Sequence, residues 1–225
     1  MLGEGQVNLI MIFQRHDLVF ADFRKIDTSL IQNENFKRLI SKNILPGIVR
    51  RDEKENTVGD NYYSENEKVF IGFVHPYTEN GRRLRFATSV PGKNITKLIT
   101  PYEISKFKFE ERTPALKALS KIKSEYKVGV WGSTSLDIIT GLSYTHEKSD
   151  LDLIVKNYSH DELISLLKLC NEIESKNGIK IDVEITLKSG YGINLKEYTS
   201  KSDSLLGKGL RDVILIDRNS IEAYL

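Results

Sequence analysis

Cysteine is almost missing from this chain of 225 residues, where Cys170 stands alone. A disulfide within the chain is therefore impossible, and a cysteine-based zinc site is excluded. Cys170 follows Leu166, Leu167 and Leu169 on a helix flank with no activating neighbour, so it reads as a buried structural thiol. No apolar run reaches the 18 residues that a membrane helix needs. The N-terminus also lacks a basic region leading into an apolar stretch, so a cytoplasmic protein with no membrane partner is expected. An excess of one charge is missing too. The formal net charge is only +2, which gives no general affinity for nucleic acid or membrane and leaves anion binding to a local site. Repeats and low-complexity segments are absent. What remains is an ordinary globular composition, 40% hydrophobic and 28% charged, in a chain long enough for one large domain or two small ones.

The first half reads as short strands and turns. Phe13 to Phe20 and Ile44 to Arg51 look like strands, the second opened by Pro46-Gly47. Asp52 to Glu67 contains no aliphatic residue but Val58 and reads as a loop. Val69 to Val74 and Arg82 to Val90 are apolar runs flanking Asn80-Gly81, a hairpin signal, although His75-Pro76 points to a longer connection. Thr113-Pro114 then looks like a helix start, with Leu116, Leu119 and Ile122 at helical spacing.

The second half is better patterned. Val128 to Trp131 is a short strand, Gly132-Ser133 a tight turn, and Thr134 to Thr140 a helix stopping at Gly141. Leu151, Leu153 and Val155 alternate with polar Asp150 and Asp152 in a half-buried strand. Asp161 to Lys176 carries one apolar stripe, and Ile181, Val183 and Ile185 alternate with Asp182 and Glu184 in a further strand.

Chemistry concentrates at Gly132-Ser133 and, after 16 residues, Asp150-Leu151-Asp152. Side chains two apart on a strand share a face, so Asp150 and Asp152 project together. Paired carboxylates repel unless a cation sits between them, and a hard divalent ion such as Mg²⁺ or Mn²⁺ suits oxygen ligands. Such an ion bridges donor phosphates and offsets charge on a departing pyrophosphate. Gly132 lets the backbone approach a phosphate, to which Ser133 and the following helix start can donate. The neighbouring acidic strand offers a third carboxylate: Asp182, as metal ligand or general base, with Glu184 as the alternative. The ordered set of strand, Gly-Ser, helix, Asp-x-Asp strand, helix and acidic strand is a nucleotidyltransferase-type layout. Arg83 and Arg85 share a strand face beside the hairpin turn, and Lys208 lies between two glycines, so all three are candidate phosphate contacts. His16, in Arg15-His16-Asp17, is a candidate substrate contact. His146 reads as a solvated loop residue, and Trp131 and Tyr144 as packing residues.

The run from Val128 through Gly132-Ser133, Gly141 to His146 and Lys148-Ser149-Asp150-Leu151-Asp152-Leu153 resembles the malonate decarboxylase holo-acyl carrier protein synthase family, also called phosphoribosyl-dephospho-CoA transferase. Arg15-His16-Asp17-Leu18 looks like that family's N-terminal motif, Pro46 to Arg51 like its Pro-x-Val-Val-Arg-Arg strand, and Gly207-Lys208-Gly209 lies where its Val-Lys-Gly region falls. The family pattern has Asp-Gly-Glu where this chain has Asp182-Val183-Glu184. The resemblance implies transfer of a phosphoribosyl-dephospho-CoA group from 2′-(5-triphosphoribosyl)-3′-dephospho-CoA to a serine of the malonate decarboxylase acyl carrier protein, with release of pyrophosphate. It also implies catalytic roles for Asp150 and Asp152. The resulting expectation is an α+β chain. Residues 1–112 would form a smaller β-rich domain and residues 113–225 a nucleotidyltransferase-like domain with a mixed sheet and flanking helices. A cleft between them would hold the donor, with the carrier at its mouth. Other readings share the motifs: a different Mg²⁺-dependent nucleotidyltransferase, the citrate lyase carrier as acceptor, or a non-catalytic carrier-binding module.

Overall fold

The computed structural model describes residues 11–52, 60–79, 81–223 and 225. The segment Met1 to Leu9 and most of the polar stretch read as a loop, residues 53–59, lie outside the described residues. In chain order the strands and helices are β1 (Ile12–Phe13), β2 (Leu18–Ala21), α1 (Glu34–Ser41), β3 (Gly47–Val49), β4 (Tyr63–Ser64), β5 (Lys68–Glu79), β6 (Arg82–Pro91), β7 (Ile95–Ile99), α2 (Pro101–Ile104), α3 (Pro114–Glu125), β8 (Gly129–Trp131), α4 (Gly132–Thr140), β9 (Leu151–Lys156), α5 (His160–Asn177), β10 (Ile181–Thr186), β11 (Gly192–Asn194), α6 (Leu195–Tyr198), β12 (Ser204–Lys208) and β13 (Val213–Asp217).

Two large sheets result. The first is antiparallel, in the order β6-β5-β3-β2-β7, and a small β1-β4 pair accompanies it. The second runs β13-β12-β11-β10-β9-β8 and is mixed: β9 and β10 are parallel, joined through α5, while every other neighbouring pair is antiparallel. This is a mixed α/β architecture. One hydrophobic cluster runs through both sheets, from Phe13 and Phe73 to Leu153, Val183 and Ile216.

Local sequence explains the elements around the second sheet. α5 starts at a reciprocal cap, in which the Ser159 hydroxyl and the Glu162 carboxylate each accept from the other's backbone N–H, and stops at left-handed Gly178. Its buried stripe is Leu163, Leu166, Cys170 and Ile173. α3 and α5 pack against the face of β9 and β10 that carries Leu151, Leu153, Val155, Ile181, Val183 and Ile185. The opposite face carries the polar alternates and stays partly open.

Helix α1 and strand β7 were not placed by the sequence reading, β4 lies in the stretch read as a loop, and two further departures of the first half have local causes. The expected strand from Phe13 to Phe20 is broken, because His16 takes a left-handed φ of 72° and the chain turns between β1 and β2. The buried Asp17 carboxylate accepts from the Gln14 N–H at 2.7 Å and closes that turn. The β5–β6 hairpin is tighter than His75-Pro76 implied. β5 runs through Pro76 to pair Glu79 with Arg82, and the ladder shifts register between Val74 and Thr78, where a residue without an N–H is tolerated.

Candidate active site

Strand pairing assembles the site. Asp152 sits directly beside Asp182 across the parallel β9–β10 pair, and Trp131 sits beside Asp152 across the antiparallel β8–β9 pair. Directly paired residues share a sheet face, as do residues two apart along a strand. Trp131, Asp152, Asp182 and Glu184 therefore form one block on the open face, and Asp150 stands where β9 enters it. Gly132 follows with a left-handed φ of 66°. A Cβ there would lie 2.1 Å from Asp152 Oδ2, so the backbone rests against the carboxylate as only glycine allows. Ser133, half-buried, opens the first turn of α4 beside it.

The charges in this block are unbalanced. Burial, and then the charges of Asp182 and Asp150, push the Asp152 carboxyl up to about 7, against the pull of Lys180. Lys180 pairs with Asp182. Among the described residues no three His, Cys, Asp or Glu side chains converge into a ready-made metal cage. The donor set that is present, oxygen-only carboxylates crowded on one strand face, fits a hard divalent ion. Mg²⁺ in particular is commonly held by one or two carboxylates, with phosphate oxygens and water completing its shell.

Glu184 has a different setting. Arg15 clasps it through two nitrogens, at 3.1 and 3.3 Å, and His16 Nε2 lies 3.4 Å from its Oε1 without a well-formed hydrogen bond. Burial would raise this carboxyl, but the close approach of the His16 ring and the charge and hydrogen bonds of Arg15 carry it below its usual range. Burial in turn lowers His16, which stacks on Trp131 with ring centroids 3.9 Å apart. Arg15 also donates to the Lys208 carbonyl at 2.5 Å. Together these contacts tie the turn at Gln14 to Asp17 onto the open face of the second sheet.

Between the two sheets lies a cleft of about 560 Å³, walled by Arg15, His16, Arg50, Arg51, Trp131 and Lys208 with Ile48, Val49, Leu206 and Val213. It gathers His16 and Lys208 from the expected contacts. Arg83 and Arg85 are not on its walls. Arg83 donates to the Tyr144 carbonyl and lies 5.5 Å from that ring, while Arg85 borders a separate groove with Leu30 and Phe36. His146 is exposed, as read, and Cys170 is buried with its thiol pushed up to about 12.

Sequence reasoning missed Asp137. Its carboxylate is 2% exposed and accepts from the N–H groups of Tyr144 (3.0 Å) and Thr145 (2.9 Å), the Thr145 hydroxyl and Arg112. It thereby folds the loop that delivers Asp150 to the face. Thr113 is the N-cap of α3, but its hydroxyl pairs with the Thr145 hydroxyl at 3.0 Å and braces the same loop. An acidic residue inside an otherwise apolar helix stretch was the available signal.

The family model for the phosphoribosyl-dephospho-CoA transferase MdcG C-terminal domain matches residues 104–219, more than half of the chain. The chain belongs to the MdcG family. Two relatives match over a longer span than the family model. The chain is 26% identical over 180 residues to a phosphoribosyl-dephospho-CoA transferase of Xanthomonas axonopodis pv. citri, covering 79% of this chain and 81% of the relative. It is 25% identical over 182 residues to the protein of that name from Xanthomonas euvesicatoria pv. vesicatoria, with the same coverage. A third, from Bradyrhizobium diazoefficiens, is 28% identical over 108 residues, covering 47% of this chain and 48% of its own length. No solved structure matches significantly. The MdcG match takes in Gly132, Asp150, Asp152, Asp182 and Lys208, whereas Arg15 and His16 precede it.

Proposed function

We propose that this MdcG-family chain is a Mg²⁺-dependent transferase that moves the phosphoribosyl-dephospho-CoA group from 2′-(5-triphosphoribosyl)-3′-dephospho-CoA onto a serine of the malonate decarboxylase acyl carrier protein. The observation that carries the reading is the crowding of Asp150, Asp152 and Asp182 against the bare backbone of Gly132. Asp150 and Asp152 would hold the metal. When bound, it would supply neutralisation of the charge that builds on pyrophosphate. Gly132 leaves room for the triphosphate, and the Ser133 N–H and hydroxyl at the α4 N-terminus donate to its oxygens. The carrier serine Oγ attacks the α-phosphorus, a phosphodiester forms and the bond to pyrophosphate breaks. Asp182, on the same face, accepts the serine proton. Asp137 keeps the Asp150 loop folded throughout. No helix among the described residues is long and apolar enough to cross a membrane.

The test is intact-mass measurement of apo-carrier after incubation with donor, Mg²⁺ and protein. Expected is a gain of one phosphoribosyl-dephospho-CoA group on a single serine, lost on chelation. Running the malonate decarboxylase and citrate lyase carriers side by side identifies the acceptor. No gain on either, with adenylylation by ATP instead, would overturn the reading.

A further inference from the structure

Lys208, Leu206 and Val213 lie on the same open face as the acidic block. β11 and β12 pair Gly192 with Lys208, β12 and β13 pair Lys208 with Val213, and Leu206 is two residues from Lys208. Gly192 itself pairs with Thr186, two residues beyond Glu184 on the face of Asp182. One sheet face therefore runs from the carboxylates at β9 and β10 to a lysine and an apolar strip at β12 and β13. That strip is exposed: Leu206 by 37%, Val213 by 41% and Leu215, paired with Leu206, by 73%. The cleft above it has four basic side chains and no carboxylate on its walls; Glu184 stands behind Arg15. Its volume is that of a small-molecule site.

Such a surface matches a ligand that is anionic at one point and apolar or amide-like along the rest. We propose that the cleft holds the dephospho-CoA arm of the donor. The diphosphate would lie between Lys208 and Arg51, and the pantetheine chain would run over Leu206 and Val213. This inference rests on the donor assigned above and adds its direction: the triphosphate points to Gly132 and Asp152, and the CoA arm points away toward β12. Trp131 and the His16 ring stacked on it form the wall between the two ends. Arginine and lysine donors around a diphosphate supply the polar attachment, and covering the leucine and valine removes apolar surface from water.

Dephospho-CoA carries this arm without the triphosphate, so it isolates the site. Calorimetric titration of the full chain with dephospho-CoA in chelator should show binding, weakened at least tenfold by Lys208→Glu and by Leu206→Glu. Both positions are exposed, and an unchanged melting temperature shows that the variants fold. Inorganic triphosphate with Mg²⁺ should bind these variants as it binds the parent, while Asp150→Asn should show the converse pattern. Equal dephospho-CoA binding by parent and cleft variants, or none by the parent, with carrier transfer intact, overturns this inference alone. Loss of affinity for the carrier but not for dephospho-CoA assigns the strip to protein docking and also overturns it. A parent protein that neither binds dephospho-CoA nor modifies a carrier removes the donor reading beneath it.

Discussion

Asp152 and Glu184 stand on the same face of adjacent strands, yet their surroundings drive them in opposite directions. Burial first, and then the charges of Asp182 and Asp150, raise the Asp152 carboxyl to about 7. Glu184 meets Arg15 and His16, and its carboxyl falls. One end of the row is an electrostatic deficit that a cation or a proton must fill; the other is already filled by the turn that carries Arg15 and His16. An acidic residue in such a row is a candidate for chemistry when its charge is unmet, and a fastener when it is met. Asp182 is intermediate, with Lys180 at its side but Asp152 directly across.

The comparison can be broken most sharply at its unmet end. Asp150→Asn and Asp152→Asn should each lower the transfer rate by about 10²-fold or more, the scale of losing a strong transition-state contact. Steady-state rates on purified carrier check this, and full activity in both removes the metal-site argument. At the met end the expected loss is stability. Glu184→Gln leaves a largely buried guanidinium without its counter-charge and should cost about 2 kcal/mol by denaturant unfolding, below the full figure for a wholly buried pair because Arg15 keeps the Lys208 carbonyl. If that variant unfolds normally but loses activity, Glu184 belongs with the chemistry and the contrast fails. Gly132→Ala joins the two concerns: the forced φ and the Asp152 clash should cost about 1.5 kcal/mol and weaken Mg²⁺ binding, read by titration.

The opposite pKa directions give opposite pH slopes. Glu184 has a depressed folded value, so its contribution to stability is present above the ordinary glutamate range and is lost as the pH falls through the folded value. Asp152 has a raised one, so in metal-free buffer stability is fully present below 3.8 and lost as the pH rises through about 7. Asp152→Asn should flatten that decline by about 1 kcal/mol, allowing for solvent screening. Unfolding midpoints measured from well below pH 3.8 up to pH 8 separate the two. An effect of similar size is expected from Arg83→Ala, about 1 kcal/mol for a lost hydrogen bond and ring contact, with donor KM changed less than by Lys208→Ala.

Legibility in the sequence followed the range of the interactions. The strand ending at Trp131, the helix that stops at Gly141, the alternation at Asp150 to Val155 and the α5 stripe are set by local period and local glycine conformation and appear where the pattern placed them, although α4 takes in the Gly132-Ser133 pair read as a separate turn. Strands β11, β12 and β13 escaped because they are only three to five residues long and gain their place by pairing with one another and with β10. The break at His16 escaped because nothing in Phe13 to Phe20 marks a left-handed histidine; the turn is fixed by Asp17 on Gln14 and by the Trp131 stack, from a partner more than 100 positions away. Glu184 was legible as acidic and half-buried, but its neutralisation was not, since Arg15 comes from the far end of the chain. Arg83 and Arg85 were read as partners from their shared strand face, yet one braces Tyr144 and the other borders a different groove.

The indole that His16 covers is also the chain's only tryptophan. Fluorescence excited at the red edge of the protein band thus comes from a single ring on the wall between the acid block and the basic cleft. No label is needed to watch that wall: any event that slides the imbidazole aside or dries the indole changes the emission, so stopped-flow mixing can time the arrival of each end of a substrate separately.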